Sequence, residues 1–238
     1  MCVADLVHRY SLVQERLEAA CLAAGRKRSE VTLVAVSKLH TAEAVAAVAA
    51  VGQIDFGENY VQEALQKREA LRGSERISIR WHMIGHVQSR KAAQVAGTFA
   101  LIHSMDSRRL ADGMERRLAV EEKRQPVLIE VNVGAEPQKS GVLVQDLPAL
   151  AEHLCMACPH LELRGLMCLP PVFDAGEAAR PYFAQLRQLR DDLRVRLNLS
   201  LPELSMGMSG DFEAAVAEGA TMVRIGTDIF GPRPHRAV

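Results

Sequence analysis

Aromatic residues and surplus charge are scarce in this 238-residue sequence. It contains one Trp, three Tyr and six Phe, too few to build the stacking platforms on which proteins bind single-stranded nucleic acids. Its 29 basic residues are balanced by 29 acidic ones, so the formal net charge is zero. Because binding to nucleic acid or to anionic membranes depends largely on positive charge, we expect neither as a partner.

Long apolar runs and a regular cysteine pattern are also missing. No apolar segment approaches the roughly 20 residues that a membrane-spanning helix needs, and the first residues lack the basic and apolar regions of a signal peptide. The five cysteines are an odd number without regular spacing, which favours a reducing compartment. Cys155 and Cys158 form a lone Cys-x-x-Cys pair, a weak signal for metal or redox chemistry. We therefore predict a soluble cytoplasmic protein.

Strand-like and helix-like patterns alternate along most of the chain. An amphipathic helix with apolar residues from Leu6 to Cys21 comes first. Predicted strands follow at 31–37, 54–56, 79–84, 99–103, 126–133, 161–167, 203–206 and 222–225. Predicted helices separate them at 42–51, 59–71, 89–96, 107–123, 144–156, about 183–197 and 211–218. Eight such units without a linker predict an α/β fold, a single (β/α)8 TIM barrel over residues 1–238 with an extra N-terminal helix, ahead of an open doubly wound sheet.

The candidate functional residues follow the ends of the predicted strands. In a TIM barrel all strand C-termini meet on one face, and the loops after strands seven and eight commonly bind phosphate. The first strand ends in Lys38. Ser209 follows the seventh strand, where we expect it to cap a helix, and Arg224, Gly226 and Thr227 stand at the end of the eighth.

Lys38 and this predicted phosphate site are neighbours because the last strand of a barrel pairs with the first. A lysine among apolar residues and near Arg224 has its charged form disfavoured, as formation of a Schiff base requires. Pyridoxal 5′-phosphate (PLP) carries both a phosphate and an aldehyde and would suit both groups. Taken alone, a lysine at a strand end more often simply reaches water, and the loop pattern fits an ordinary helix cap and a structural arginine equally well.

Seven motifs carry a resemblance to a known family. They are LVAVSK (33–38), FGENY (56–60), WHMIGHVQSRK (81–91), KSG (139–141), GLM (165–167), LSMGMSGDF (204–212) and VRIGTDIFG (223–231). In this order they resemble the pyridoxal phosphate homeostasis proteins, which bind PLP in a barrel of the alanine racemase N-terminal type.

The resemblance implies a PLP site and the residues that form it. Those residues are Lys38, Asn59, His82, Ser209, Arg224, Gly226 and Thr227. It implies that Lys38 holds PLP as a Schiff base and that Ser209, Gly226 and Thr227 hold the phosphate. Asn59 and His82 would line the ring. Arg224 would approach either the phosphate or the pyridine nitrogen, a choice that the sequence leaves open.

Three functions are compatible with these residues. The first is a PLP carrier or regulator in intracellular PLP homeostasis, without strong catalysis, that could serve apo PLP-dependent enzymes. The second is a PLP-dependent amino-acid racemase. The third is a Schiff-base lyase or aldolase that acts on a phosphorylated substrate. We favour the first, because the sequence ends soon after the last strand, without the β-domain that supplies a second base in alanine racemases. No pattern indicates a large apolar dimer face, so we expect a monomer.

Overall fold

A closed barrel of eight parallel strands forms the centre of the computed structural model, which describes residues 2–73, 78–171 and 174–232. The strands are β1 (Thr32–Val36), β2 (Asp55–Glu58), β3 (Arg80–Met83), β4 (Leu101–Met105), β5 (Gln125–Asn132), β6 (Val142–Leu143), β7 (Leu161–Cys168), β8 (Glu203–Ser205) and β9 (Met222–Ile225). Around the barrel the order is β1, β2, β3, β4, β5, β7, β8 and β9, and β9 pairs with β1. The short β6 pairs in parallel with the last two residues of β5, Val131 and Asn132. The predicted TIM barrel is confirmed.

Helices surround this barrel. They are α1 (Val3–Ala23), α2 (Ala42–Ala49), α3 (Val61–Ala70), α4 (Ala92–Val95), α5 (Arg108–Glu121), α6 (Leu147–Ala157), α7 (Arg180–Leu197), α8 (Phe212–Ala217) and α9 (Thr227–Phe230). The predicted N-terminal helix is present as α1, which packs against α2, α8 and α9. Because α9 has only one turn, α1 covers the part of the barrel where a full eighth helix would lie. No helix of the described residues is long and apolar enough to cross a membrane.

Two apolar layers follow from the alternation of side chains along each strand. Outward-facing residues such as Leu33, Ala35 and Val223 pack under the helices in the main core. Inward-facing residues fill part of the barrel lumen with a second, smaller cluster, which consists of Val34, Leu101, Leu128, Met167 and Met222. The rest of the lumen is polar, as the next subsections describe.

The start of α8 differs from the prediction. Ser209 does not cap this helix, because α8 begins at Phe212 and Asp211 occupies the N-cap position. The Asp211 carboxylate instead accepts a hydrogen bond from the backbone N–H of Met208 and so closes the turn before the helix. Ser209 therefore lies inside this turn, with its side chain not committed to α8. The assignment of residues 1–238 to one domain stays a prediction, and residues 233–238 lie outside the described residues.

Candidate functional site

A cavity of about 340 Å³ opens at the face where the strands end. Its lining includes six of the seven residues expected from the sequence, namely Lys38, Asn59, Ser209, Arg224, Gly226 and Thr227. The other lining residues are Val36, Ile84, Lys139, Leu169, Pro170, Met208 and Gly210. We call this space the upper cavity. Its volume and its mixture of apolar walls and few polar groups are typical of a small-molecule site.

Charged side chains of α3 bind the backbone on both sides of Lys38. Lys67 Nζ donates to the carbonyl of Ser37 at 2.6 Å and to Glu58 Oε1 at 2.6 Å. Glu63 Oε1 accepts from Lys67 at 2.7 Å and also from the backbone N–H of Leu39. Leu39 has φ +65°, a left-handed conformation that costs a non-glycine residue free energy. These contacts therefore fix the backbone position from which Lys38 reaches the upper cavity.

The loop that carries Asn59 is positioned at the upper cavity by a close backbone contact with Gly85. A Cβ on Gly85 would lie 2.4 Å from the carbonyl oxygen of Asn59, so only glycine lets these two loops approach each other in this way. Asn59 Oδ1 is buried and has no hydrogen-bond partner in the protein. Because a buried acceptor without a donor costs free energy, this atom indicates a ligand that donates to it.

The rim of the upper cavity next to β9 consists of two short backbone segments. Residues 209–210 belong to the turn before α8, and residues 226–227 form the start of α9. A Cβ on Gly226 would lie 3.0 Å from the carbonyl oxygen of Val36, so glycine allows the end of β9 to lie directly against β1. The first N–H groups of a helix have no intrahelical partner, and both segments face the same space. This rim can accommodate an anion.

Arg224 forms part of the floor of the upper cavity. Its side chain points into the lumen, where Nη1 donates to Ser205 Oγ at 2.7 Å and Nη2 donates to the carbonyl of Cys168 at 2.8 Å. Burial lowers the pKa of Arg224 from its usual value, because the cation loses its water. The guanidinium therefore lies towards β7 and β8, beneath the cavity and away from the two rim segments.

Sequence reasoning missed the wall of the upper cavity opposite β1. Lys139 Nζ donates to the carbonyl of Pro170 at 2.8 Å and forms an ion pair with Glu136. These contacts bring the loop after β5 against the loop after β7, so that Lys139, Leu169 and Pro170 face the cavity together. The KSG motif at 139–141 pointed to this loop. Its contacts could not be found without the register between the two strands.

His82 does not line the upper cavity with the other expected residues, and its assignment to the ring stays a prediction. It lines a second cavity of about 300 Å³, formed by the first residues of strands such as Thr32, Asp55 and Met222. We call this the lower cavity, because strand N-termini lie at the opposite end of the barrel. On β3 the residue that reaches the upper cavity is Ile84. His82 and Ile84 both point into the barrel lumen. Because two residues of strand span about 7 Å, His82 lies deeper in the lumen than Ile84 and below the upper cavity.

The Cys-x-x-Cys pair does not form a joint ligand set. Cys155 is exposed, whereas Cys158 is buried, and both thiols are free. The Cys158 thiol lies with His153 and Asp112 in a group whose ligand atoms are within 4.8 Å of one another. His153 Nε2 and Asp112 Oδ1 are joined directly at 2.6 Å, so an ordinary hydrogen-bonded pair accounts for these two residues.

Comparison with known proteins identifies relatives over nearly the whole chain. The pyridoxal phosphate homeostasis protein of Aquifex aeolicus is 44% identical over 227 residues, which cover 95% of this chain and 98% of the relative. The protein of the same name from Pseudomonas aeruginosa is 43% identical over 235 residues, covering 99% of both chains. The Escherichia coli protein of this name is 39% identical over 234 residues, with coverage of 97% and 98%.

Solved structures give the same picture. A structure described as that of an unknown protein from Bifidobacterium adolescentis superposes with a TM-score of 0.89 at 33% identity, and the match covers 96% of this chain and 95% of that one. PipY of Synechococcus elongatus, with PLP bound, has a TM-score of 0.77 at 37% identity and coverage of 85% and 93%. Alanine racemase from Corynebacterium glutamicum shares the fold at 19% identity, with a TM-score of 0.72 and coverage of 99% and 63%.

The family assignment rests on these matches together with one family model. The model described as alanine racemase, N-terminal domain, matches residues 14–234. Full-length relatives well above 30% identity all carry one name. The chain therefore belongs to the alanine racemase N-terminal domain family and, within it, to the pyridoxal phosphate homeostasis proteins.

Proposed function

We propose that this protein binds PLP in the upper cavity, holds it as a Schiff base on Lys38, and acts in intracellular PLP homeostasis as a carrier or regulator without strong catalysis. The relatives named for PLP homeostasis and the PLP-bound PipY structure support the choice of ligand. The single observation that carries it is the convergence of Lys38, Arg224 and the two rim segments on one cavity. An aldehyde and a phosphate need such groups.

The donor set of the upper cavity fits the phosphate of PLP. The proposed phosphate ligands are Ser209, Gly226 and Thr227, whose backbone lies at the rim. The start of α9 adds first-turn N–H groups and the favourable end of its small dipole. The close contact of Gly226 with Val36 supports this choice, because any side chain at residue 226 would compete for the space between β9 and β1.

The floor and walls of the upper cavity suit the pyridine ring. We propose that Arg224 serves the pyridine nitrogen and not the phosphate, because its guanidinium is bonded to Ser205 and to the Cys168 carbonyl below the cavity. Asn59, whose Oδ1 lacks a protein partner, would accept a hydrogen bond from a polar ring substituent. Ile84 and Met208 offer apolar contact to the ring faces.

Weak catalysis follows from the same groups. When bound, PLP supplies an electron sink for carbanion chemistry, and a cation at the pyridine nitrogen weakens that sink. The titratable side chains among the described lining residues are Lys38, Lys139 and Arg224. Lys139 Nζ is engaged by the Pro170 carbonyl and by Glu136, which hold it against the loop after β7, so it is not placed to act as a second base facing Lys38. The racemase alternative needs such a base.

Borohydride reduction tests the Schiff base. Protein incubated with PLP and reduced should carry one pyridoxyl adduct, on the peptide that contains Lys38, by mass spectrometry. Lys38→Ala should abolish this adduct. Lys139→Met, which removes the other lysine of the same cavity, should leave the adduct on Lys38. An adduct that lies mainly on another lysine would overturn the assignment to Lys38. No adduct in the wild type, even after incubation with PLP, would favour the lyase or aldolase.

Two further assays separate the carrier from the racemase. Transfer of PLP from the loaded protein to an apo PLP-dependent enzyme should be measured against an equal concentration of free PLP. A carrier should restore the enzyme while it keeps free PLP low. Alanine incubated in deuterium oxide should exchange its α-hydrogen negligibly, and rapid exchange with racemisation would establish the racemase. We expect the protein to act in the cytoplasm. We also expect it to be a monomer, which light scattering of the loaded protein can check.

A further inference from the structure

A row of polar side chains crosses the barrel lumen from the upper cavity to the lower one. It begins where Arg224 Nη1 donates to Ser205 Oγ at 2.7 Å. Ser205 Oγ lies 2.8 Å from His103 Nδ1, and His103 Nε2 lies 3.0 Å from His82 Nδ1. His82 Nε2 then lies 2.8 Å from Asp55 Oδ1. We call Ser205, His103, His82 and Asp55 the lumen chain.

The lumen chain is costly to bury, and packing alone does not account for it. Barrel interiors are usually filled by branched apolar side chains, which would occupy the same space without a desolvation cost. All four members are at most 6% exposed. Among the described residues, none of their side-chain nitrogen or oxygen atoms is buried without a partner. A row of polar side chains is tolerated in a core only when every member has its hydrogen-bond partners. Because apolar side chains would fill the same space at lower cost, we infer that the ordered hydrogen bonds of this row have a function.

An arginine donates to each end of the lumen chain. Arg80 Nη2 donates to Asp55 Oδ2 at 2.6 Å, and Arg224 donates at the other end. A guanidinium does not release its proton in proteins. Burial, with His82 and Arg224 nearby, holds the pKa of His103 well below its usual value, so this imidazole is neutral and has one donor and one acceptor nitrogen. The direction of each hydrogen bond is therefore set by its neighbours.

The direction of the hydrogen bonds along the lumen chain determines how Arg224 is bonded. Its guanidinium has two observed acceptors, the backbone carbonyl of Cys168 and the hydroxyl of Ser205. The carbonyl is fixed by β7, whereas the hydroxyl can rotate and is oriented by His103. We propose, on the basis of the PLP function proposed above, that the lumen chain positions Arg224 for the cofactor ring. Side chains at the lower cavity then influence a ligand at the upper one, without touching it.

Variants of His103 test the middle of the lumen chain. His103→Leu removes both hydrogen bonds at similar volume, and we expect PLP affinity, measured by absorbance titration, to fall about tenfold, as loss of a hydrogen bond to a charged group implies. His103→Gln retains a donor and an acceptor and should recover most of this loss. Gln125→Met is the control, because Gln125 is fully buried and bonded to Phe99 and Pro126 outside the lumen chain. Its PLP affinity should stay within about twofold of the wild type.

A second readout does not need the cofactor. In the PLP-free protein, NMR of the Arg224 guanidinium N–H groups reports their bonding directly. Asp55→Asn, at the far end of the lumen chain, should shift these signals, while Gln125→Met should not. Unchanged Arg224 signals in Asp55→Asn, or equal loss of PLP affinity in His103→Leu and Gln125→Met, would overturn the proposal. If His103→Leu does not fold, His103→Gln and Asp55→Asn decide. Failure of the wild type to bind PLP would refute the proposed function, and the NMR result would still test the chain.

Discussion

Replacement of Lys67 by methionine is expected to destabilise the fold strongly and to weaken PLP binding. Lys67 Nζ makes three contacts, with the Ser37 carbonyl, Glu58 and Glu63, at 2.6, 2.6 and 2.7 Å, of which the first two are buried. Methionine keeps most of the length of the side chain but leaves the fully buried Glu58 carboxylate without its cation. Removing one partner of a buried ion pair costs about 3–5 kcal/mol of unfolding free energy. The backbone on either side of Lys38 loses its clamp in the same variant.

A second substitution separates charge from packing. Glu58→Gln in the Lys67→Met background removes the unpaired charge, so we expect the double variant to regain about 1–2 kcal/mol over Lys67→Met alone. Burial already raises the pKa of Glu58, and Lys67 opposes that rise. Without Lys67 the pKa rises further. Because a raised carboxyl pKa costs stability as pH rises through it, the deficit of Lys67→Met should be smallest at acidic pH and largest at neutral pH.

Urea unfolding followed by circular dichroism measures these differences at pH 5 and pH 8. Lys123→Met is the matched control, since Lys123 pairs with Glu121 at 3.0 Å on the surface, and such a pair contributes at most about 1 kcal/mol. A loss in Lys67→Met no greater than that in Lys123→Met would refute the reasoning. So would a double variant whose loss equals the sum of the two single losses, because the pair would then be uncoupled.

Three further predictions concern other parts of the barrel. Burial, reinforced by Asp106, raises the pKa of Glu130 from 4.5 to about 7. The cost of its charge is therefore absent near pH 4 and complete above pH 7, so Glu130→Gln should match the wild type in urea unfolding at pH 4 and exceed it by about 3 kcal/mol at pH 8. Gly85→Ala should displace the loop that carries Asn59 and weaken PLP binding at least tenfold in absorbance titrations, because the added Cβ would lie 2.4 Å from a backbone oxygen. Leu17→Ala, in the fully buried stripe of α1, should cost about 2–5 kcal/mol in urea, and a loss below 1 kcal/mol would show that α1 is not part of the core.

The strands were predictable because a strand buried on both faces leaves a clear pattern. The run from Val31 ends in Lys38, and the structure has β1 at Thr32–Val36. Short elements whose position depends on tertiary contacts were not predictable. The two-residue β6 and the single turn α9 leave no periodic signal, and their positions depend on pairing with β5 and on packing against α1.

Depth within the lumen was the main limit of the sequence analysis. Alternation along β3 assigns His82 and Ile84 to the same inner face, but only the register with β2 tells which of them reaches the upper cavity. The pairing of Gly57 with His82 places the histidine one layer below the rim. The contact of His82 with His103 depends on a second register, between β3 and β4, so sequence spacing could not find it.

The proposed ligand would lie where β1 pairs with β9, and we call this pairing the seam of the barrel. Here the first strand of the barrel meets the last, and nearby Arg16 of α1 bonds Asp228, 212 residues further along the chain, at 2.6 Å. Contacts of such separation have a larger loop-closure entropy cost than local contacts. A molecule joined to Lys38 on one side and held by residues 226–227 on the other would link the two strands of this seam. At a thousandfold excess over its Kd it would add about 4 kcal/mol of stability, so the supply of PLP in the cell would also set the fraction of these barrels that is folded.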